Sequence, residues 1–562
     1  MRLKPEVLTT DILIVGGGAA GCFAALAASD NPSIQIVIAE KSNIKRSGCL
    51  AAGVNALNAY ITEGETAESF VDYVREEFDG VIREDLVYTI AKGLNSVTKR
   101  IEDEGLPILK DEAGKYVTRG KRSIKINGEN IKPILANAVG RMKSIKTLNG
   151  VNIFDYILKD GKVIGAYGFS IKEEKLYVIY SKATICATGG AAGVYKPNNP
   201  TFSRHKMWYS PFNTGAGYAM GIRAGAEMTT FEMRFIALRC KDTIAPTGTI
   251  AQGVRTPQIN SQGERYVQNY GKPTTINRLY ATVMENLNGR GPCYLKTSGI
   301  NEQQEQDLLK AYLNMAPSQT LKWVENKTSP TNQDVEIEGT EPYIVGGHTA
   351  SGYWVDTNRK TTINGLFAAG DVTGGSPKKY VTGCLVEGQI AAEAAVKYIQ
   401  EINNESLDSI KLEEKFKEVD SFFENKQNPY TIEQVEEAMQ KVMDEYAGGI
   451  SQHYVYTSEK LSIASKRIDE LLVIANKLKA DDLHELMFIY EIIDRLYVAK
   501  VLVAHLLART ETRWRCYQEN ADYPQKDDSN WLKYVNSRYE NGEIDIILRN
   551  LVGRDEIYEH KN

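Results

Sequence analysis

A strand that runs straight into a glycine-rich turn and a helix start leaves few folds open. Residues 11–21 read Asp11-Ile-Leu-Ile-Val-Gly16-Gly-Gly18-Ala19-Ala20-Gly21. In such a unit Gly16 permits the tight turn, Gly18 lets a pyrophosphate approach the backbone, and Gly21 lets helix and strand pack closely. The helix start at Ala19 and Ala20 turns free N–H groups and the positive end of its dipole toward the phosphates. A second apolar strand, Ile34 to Ala39, ends at Glu40 and Lys41. That is close to the spacing of a carboxylate that binds ribose hydroxyls.

More than three hundred residues later the chain reads Asn364-Gly-Leu-Phe-Ala-Ala-Gly370-Asp371. A strand ending in Gly-Asp suits a second contact to a dinucleotide's phosphates or ribitol. Between the two, Lys182 to Ala187 reads as a strand ending in the turn Thr188-Gly189-Gly190, where backbone can approach the same cofactor. A two-part site of this kind predicts FAD, held by a chain that leaves its nucleotide domain and returns to it.

Composition narrows the rest. The chain has 562 residues and a net charge of −5, which predicts several domains and argues against nucleic-acid binding. Its start runs directly into the first strand without a signal-peptide apolar region, so a cytoplasmic location is expected. Leu486 to Leu507 is apolar but interrupted by Glu491, Asp494, Arg495 and Lys500, which predicts a buried or amphipathic helix and no membrane span. The seven cysteines are scattered without a CxxC pair, which argues against an iron–sulfur or zinc cage within this chain.

The predicted fold is α/β plus α: a two-dinucleotide-binding-type FAD domain with an inserted α+β capping domain and a C-terminal helical bundle. The expected boundaries are residues 1–204 and 346–408 for the FAD domain, 205–345 for the cap and 409–562 for the bundle. Glu413–Phe423, Thr431–Tyr446, Ser458–Leu478 and Asp482–Leu507 carry apolar residues at three- and four-residue spacing.

The order of these motifs, with Gly225-Ala-Glu227 in the cap and Arg509-Thr-Glu-Thr-Arg513 near the end, resembles the succinate dehydrogenase/fumarate reductase flavoprotein superfamily over nearly the whole chain. Three positions depart from its fumarate reductases. Where many members attach FAD through a histidine, this chain has Ser47 followed by Gly48, and no histidine precedes His205; FAD is therefore expected to bind without a covalent bond. Where those enzymes carry His-Pro-Thr, this chain has Ala237, Leu238 and Arg239. Where their proton relay uses Glu-x-x-Arg, it has Gln252 and Arg255, and an amide does not cycle a proton as a carboxyl does.

With these departures the chain is similar to the alpha subunits of adenylylsulfate reductases. The resemblance implies that Ala52, Gly53 and Asn58 form a loop over the flavin, and that Gly370, Asp371 and Glu387 complete the cofactor site. It implies that Glu129 and Trp208 line a substrate channel, that Arg239 and Arg278 bind substrate, and that His348 belongs to the active site. It further implies adenosine 5′-phosphosulfate as substrate, attack by N5 of reduced FAD on sulfur, and AMP and sulfite as products. Electrons would come from a ferredoxin-like [4Fe–4S] beta subunit. The chemistry of the residues agrees: two guanidiniums offer planar donor forks to a phosphate–sulfate anhydride, and Trp208 offers an apolar face.

Other readings stay open at this stage. Glu129 suits a cap for the helix after Asn130, Arg290 suits a turn between two glycines, and His453, His484, His505 and His560 read as structural. A soluble fumarate or enoate reductase is the competing activity.

Overall fold

The computed structural model describes residues 3–198, 207–402, 412–425 and 429–560, with only the backbone of Thr249, Gln252 and Asn314. The first glycine motif organises a seven-stranded sheet. Its central strand β1 (Lys4–Val15) pairs in parallel with β2 (Ile36–Glu40) on one side and the long β8 (Lys175–Cys186) on the other. Ile12 thus lies between Ile36 and Ala183. Ile12 to Val15 are buried on both faces, as the continuous apolar run requires of a central parallel strand.

β5 (Ile145–Asn149) extends the sheet beyond β2. On the far side the antiparallel β6 (Val151–Lys159) and β7 (Lys162–Ser170) cover the first half of β8. The second half of that same edge takes the returning strand Leu366–Ala368, in parallel, with Ala368 beside Cys186. The two cofactor motifs therefore end at the same edge of one sheet.

Helix α1 (Ala19–Ala28) leaves the first motif and packs against the helix Tyr380–Glu401, which follows the second. Small residues make this possible: a Cβ on Gly388 would stand 2.4 Å from the Ala20 carbonyl oxygen, and a Cβ on Gly21, which holds α1 against the end of β1, would stand 1.9 Å from the Gly16 carbonyl oxygen. Gly16 itself has φ +100, with the Ala187 carbonyl oxygen 2.6 Å from where a Cβ would lie.

A smaller four-stranded sheet orders Leu238–Cys240, Val335–Gly339, Cys293–Leu295 and Gln258–Ile259. Helices Thr275–Leu287, Glu302–Met315 and Pro317–Glu325 accompany it. Further on, helices Leu412–Glu424, Ile432–Tyr446, Ser458–Ala475 and Leu483–Ala508 appear where apolar spacing predicts them. The last is lined with buried apolar side chains, and its charges are paired inside: Glu491 with Lys41, Asp494 with Arg223. Among the described residues no helix is long and apolar enough to cross a membrane.

Beyond Ala508 the chain keeps only one short helix, Asp528–Trp531, among the described residues, and so departs from the helical bundle expected over 409–562. Strands Lys533–Glu540 and Glu543–Asn550 form a hairpin that pairs with Met228–Thr229. The turn between them is Asn541-Gly542, both with positive φ, a strong local hairpin signal. Glu227 holds this hairpin, accepting from Asn536 Nδ2 at 2.6 Å and Arg549 Nη2 at 2.6 Å. The Arg509-Thr-Glu-Thr-Arg513 segment is likewise a clamp: Arg509 bonds Glu232 at 2.9 Å and Glu511 at 2.8 Å, all three without solvent exposure.

Candidate functional site: one cavity shared by a cofactor cradle and a substrate chamber

The large sheet's switch edge and the small sheet face each other across a cavity of 1230 Å³. That exceeds the roughly 300–1,000 Å³ usual for one small ligand, so it has room for a dinucleotide and a substrate together. Gly16, Gly18, Ala19, Ala20, Glu40, Lys41, Gly48, Ala52, Gly53, Ala187, Thr188, Gly189, Gly370 and Asp371 all line it, as do Asn58, Trp208, Arg239, Arg278 and His348.

Three expected cofactor residues lie behind the lining and act through it. Gly21 is the packing contact already described. Ser47 is buried against the Gly17 carbonyl at 3.5 Å. Glu387 is fully buried and braces the second glycine turn: it accepts from the Gly370 N–H at 3.0 Å and pairs with Lys379 at 3.0 Å and Arg359 at 3.2 Å. The structure also leaves Glu129 out of the cavity. It is exposed in the turn after the strand Ile124–Gly128, and the following helix, Ile131–Arg141, has Asn130 at its N-cap position with no side-chain cap.

The residues fit FAD on local evidence. Gly18 is the N-cap of α1, no side chain caps that helix, and no acid stands in its first turn. Its first N–H groups are therefore open to a phosphate. A Cβ on Gly18 would meet nothing nearer than 4.0 Å. Glu40 receives the Gly17 and Ser42 N–H groups, each at 2.8 Å, which fixes its carboxylate at the cavity wall with lone pairs to spare. Asp371 is held by Tyr209, whose hydroxyl donates to it at 2.7 Å and accepts the Gly190 N–H at 3.0 Å. Burial raises the Asp371 pKa, against the Tyr209 hydrogen bond.

At the other end the wall is aromatic and cationic. The His348 ring stacks on Phe235 (4.5 Å, 27°) and meets Trp208 edge-on at 4.9 Å and Tyr380 at 5.3 Å. Arg239 leaves the edge strand of the small sheet with its guanidinium 4.9 Å from the Trp208 ring centre. Its hydrogen bond is to its own neighbour's carbonyl, Leu238, at 3.2 Å, and its buried Nε has no partner. Burial pulls its pKa down to about 10, so it stays charged at neutral pH. His348 is the reverse case: burial, then the charges of Arg239 and Lys378, push it down to about 3, so the imidazole is neutral.

The Arg278 guanidinium, on the helix Thr275–Leu287, has no hydrogen-bond or ion-pair partner among the described residues. Arg290 is instead paired with Glu285 at 2.6 Å, the turn-shaping role open to it from sequence. Arg255 lines the cavity with φ +59, and Ala237 is buried with its N–H on Thr340. The Gln252 side chain lies outside the described residues. Sequence reasoning passed over Arg119, Phe235, Lys378 and Tyr380, all in the lining. Lys378 and Tyr380 have positive φ, where the segment that follows the Gly-Asp turn runs into the helix Tyr380–Glu401. The basic run Arg119-Gly-Lys-Arg122 was the signal for Arg119.

Comparison with known proteins agrees with this geometry. The FAD binding domain family matches residues 11–384, and the fumarate reductase flavoprotein C-terminal family matches 436–555. Adenylylsulfate reductase from the hyperthermophilic Archaeoglobus fulgidus superposes with a TM-score of 0.93 at 34% identity, covering 99% of this chain and 98% of that one. The chain belongs to the adenylylsulfate reductase family of FAD-binding flavoproteins. A second solved structure, adenosine-5-phosphosulfate reductase in complex with sulfite as a covalent adduct, gives the same TM-score, identity and coverage. The adenylylsulfate reductase alpha subunit of Megalodesulfovibrio gigas is 28% identical over 95% of this chain and 93% of its own length. FAD is thus the cofactor, and the chain is an oxidoreductase.

Proposed function

We propose that this chain is the flavoprotein subunit of an adenylylsulfate reductase, converting adenosine 5′-phosphosulfate to AMP and sulfite. The observation that carries this reading is Arg239: a guanidinium with no acid partner among the described residues, seated over Trp208 and facing a cavity that His348 and the cofactor cradle also line. A charge kept without a counterion in such a wall asks for an anionic ligand.

The substrate is an anhydride with negative oxygens on both sides of its bridge. Arg239 and Arg278 offer planar donor forks to them, and neutralise charge that grows on the leaving phosphate. His348, neutral at working pH, adds a hydrogen-bond donor without repelling those arginines. Trp208, Phe235 and Tyr380 exclude water around the sulfate. Bound FAD, once reduced, supplies the electron pair. With Ala237 and Gln252 at the positions noted above, the chain has neither the carboxylate donor nor the carboxyl relay that a carbon–carbon reduction would use. We infer that a ferredoxin-like [4Fe–4S] beta subunit delivers the electrons, because the seven cysteines of this chain are free and lack cluster spacing. We also assign it to the cytoplasm, and its FAD to non-covalent binding, since Ser47 is buried behind the glycine turn.

The test is turnover. Reduced through a mediator or ferredoxin, the yellow protein should release AMP and sulfite from adenylylsulfate and reduce fumarate poorly. Sulfite should bleach the flavin absorbance, with AMP competing. Fast fumarate turnover without adenylylsulfate activity would overturn this reading in favour of an enoate reductase.

A further inference from the structure

Arg119 stands directly against Asn58. Its Nη2 donates to Asn58 Oδ1 at 2.5 Å, its Nη1 reaches Asn55 Oδ1 at 3.5 Å, and Ser123 Oγ donates to the same Asn58 oxygen at 3.2 Å. A guanidinium carries donors only, so the oxygen of the Asn58 amide, and not its nitrogen, must face it. With that oxygen held from two sides, the NH2 group is turned away from Arg119. Among the described residues no protein group receives it, and Asn58 lines the cavity.

The sheet makes this arrangement rigid. Asn58 follows the strand Val54–Leu57, which pairs antiparallel with Ile124–Gly128, Leu57 opposite Ile124. Thr118 pairs with Ile124 in turn, and the Arg119 N–H closes the intervening turn on the Ser123 carbonyl at 2.8 Å. Arg119 and Ser123 are therefore placed beside Asn58 by strand register. Among the described residues Arg119 has no acid partner and its buried Nε is unbonded, so little else there fixes its charge.

We propose that Arg119 is a positioning residue for the reaction: it locks the Asn58 amide with its N–H donors presented to the anionic substrate. An amide free to flip would offer its oxygen lone pairs to the sulfate in part of the population. A donor oriented before the substrate arrives costs no reorganisation during the reaction. The proposal rests on the adenylylsulfate activity proposed above and takes Asn58, a cavity-lining residue on the loop over the flavin, as a donor to that substrate.

A double-mutant cycle on the FAD-loaded protein tests it. Arg119→Met should keep the flavin spectrum and lower turnover on the order of tenfold, with weaker bleaching by sulfite. Asn58→Ala should lower both at least as much. The double variant should be no worse than Asn58→Ala alone, because one residue acts through the other. Arg119→Lys, which still donates to the amide oxygen, should recover part of the loss. If Arg119→Met fails to retain FAD, Arg119→Ala, which likewise offers no donor to the amide oxygen, carries the same cycle. Wild-type turnover in the Arg119 variants, or losses that multiply in the double variant, would overturn the proposal while leaving Asn58's reading in place. Wild-type turnover in Asn58→Ala would overturn both.

Discussion

At the nucleotide end of the cavity the ligand-facing groups are mostly backbone: the uncapped N–H groups of α1 and the turns at Gly16, Gly48 and Gly370. At the substrate end they are side chains, Asn58, Trp208, Arg239, Arg278 and His348, drawn from five separate stretches of chain. The first end binds by closeness of approach, so it tolerates no added atoms. The second binds by charge and ring placement, so it tolerates a change of atoms but not of geometry. Four experiments separate the two.

The largest effect belongs to the cradle. Gly21→Val would push side-chain atoms into the Gly16 carbonyl oxygen, 1.9 Å from the Cβ position. Neither α1 nor the end of β1 has room to yield, since Ala20–Ala28 and Ile12–Val15 are buried. No yellow, folded protein should be recovered. A flavin-loaded Gly21→Val chain with ordinary thermal stability would show that the close packing of helix on strand is dispensable.

Next comes the brace beneath the second glycine turn. Glu387→Ala leaves Lys379 and Arg359, both without solvent exposure, lacking their carboxylate, and frees the Gly370 N–H. Breaking a buried pair of this kind costs about 3–5 kcal/mol. The thermal midpoint should fall steeply and FAD should bind more weakly. Glu387→Gln, which keeps an acceptor for Gly370, should lose less.

The third experiment compares two arginines five residues apart. Arg234 is buried in a cage of backbone oxygens, bonding Tyr517, Ala447, Gly448, Tyr454 and Cys516 carbonyls and the Tyr195 hydroxyl. Arg239 has no such cage. Arg234→Lys should therefore cost stability with a modest effect on turnover per folded molecule. Arg239→Lys should fold normally and lose about 2–3 kcal/mol of transition-state stabilisation, tens- to hundreds-fold in turnover. Stability loss in both, with equal turnover, would mean that Arg239 is structural.

This contrast also explains what was legible in the sequence. The cradle is local: a strand, a turn and a helix start within eleven residues announce it, and the Gly-Asp turn announces its other half. The helices to Ala508 follow from their apolar spacing. The C-terminal hairpin was signalled by Asn541-Gly542, yet the long helical run before it masked the change of period. Glu129 and Glu387 show the limit of motif matching. Their positions along the chain suit a ligand site, but one side chain points to solvent and the other to two buried cations. Arg119 shows the converse: its partner is Asn58, sixty-one residues away by sequence but adjacent by strand register.

The smallest effect, and the one that tests the electrostatics of the substrate end, concerns His348. Its pKa of about 3 lies below the ordinary 6.5 because burial comes first and the charges of Arg239 and Lys378 follow. Between those two values the unfolded chain takes up a proton that the folded, substrate-free protein refuses. Stability contributed by this residue is therefore complete above pH 6.5 and is lost as pH falls toward 3. At pH 5.5 the loss amounts to about 1.4 kcal/mol. His348→Gln has no such proton to refuse, so its stability relative to wild type should rise as pH is lowered from 7 to 5.5. Arg239→Met removes the stronger of these two charge effects and should raise the imidazole's pKa, shrinking the same window. An anionic substrate should do likewise, so adenylylsulfate or AMP with sulfite should protect wild type most at the acid end. A His348 resonance titrating near pH 6.5 in the substrate-free protein would contradict both the neutral imidazole and the influence of the Arg239 charge on it.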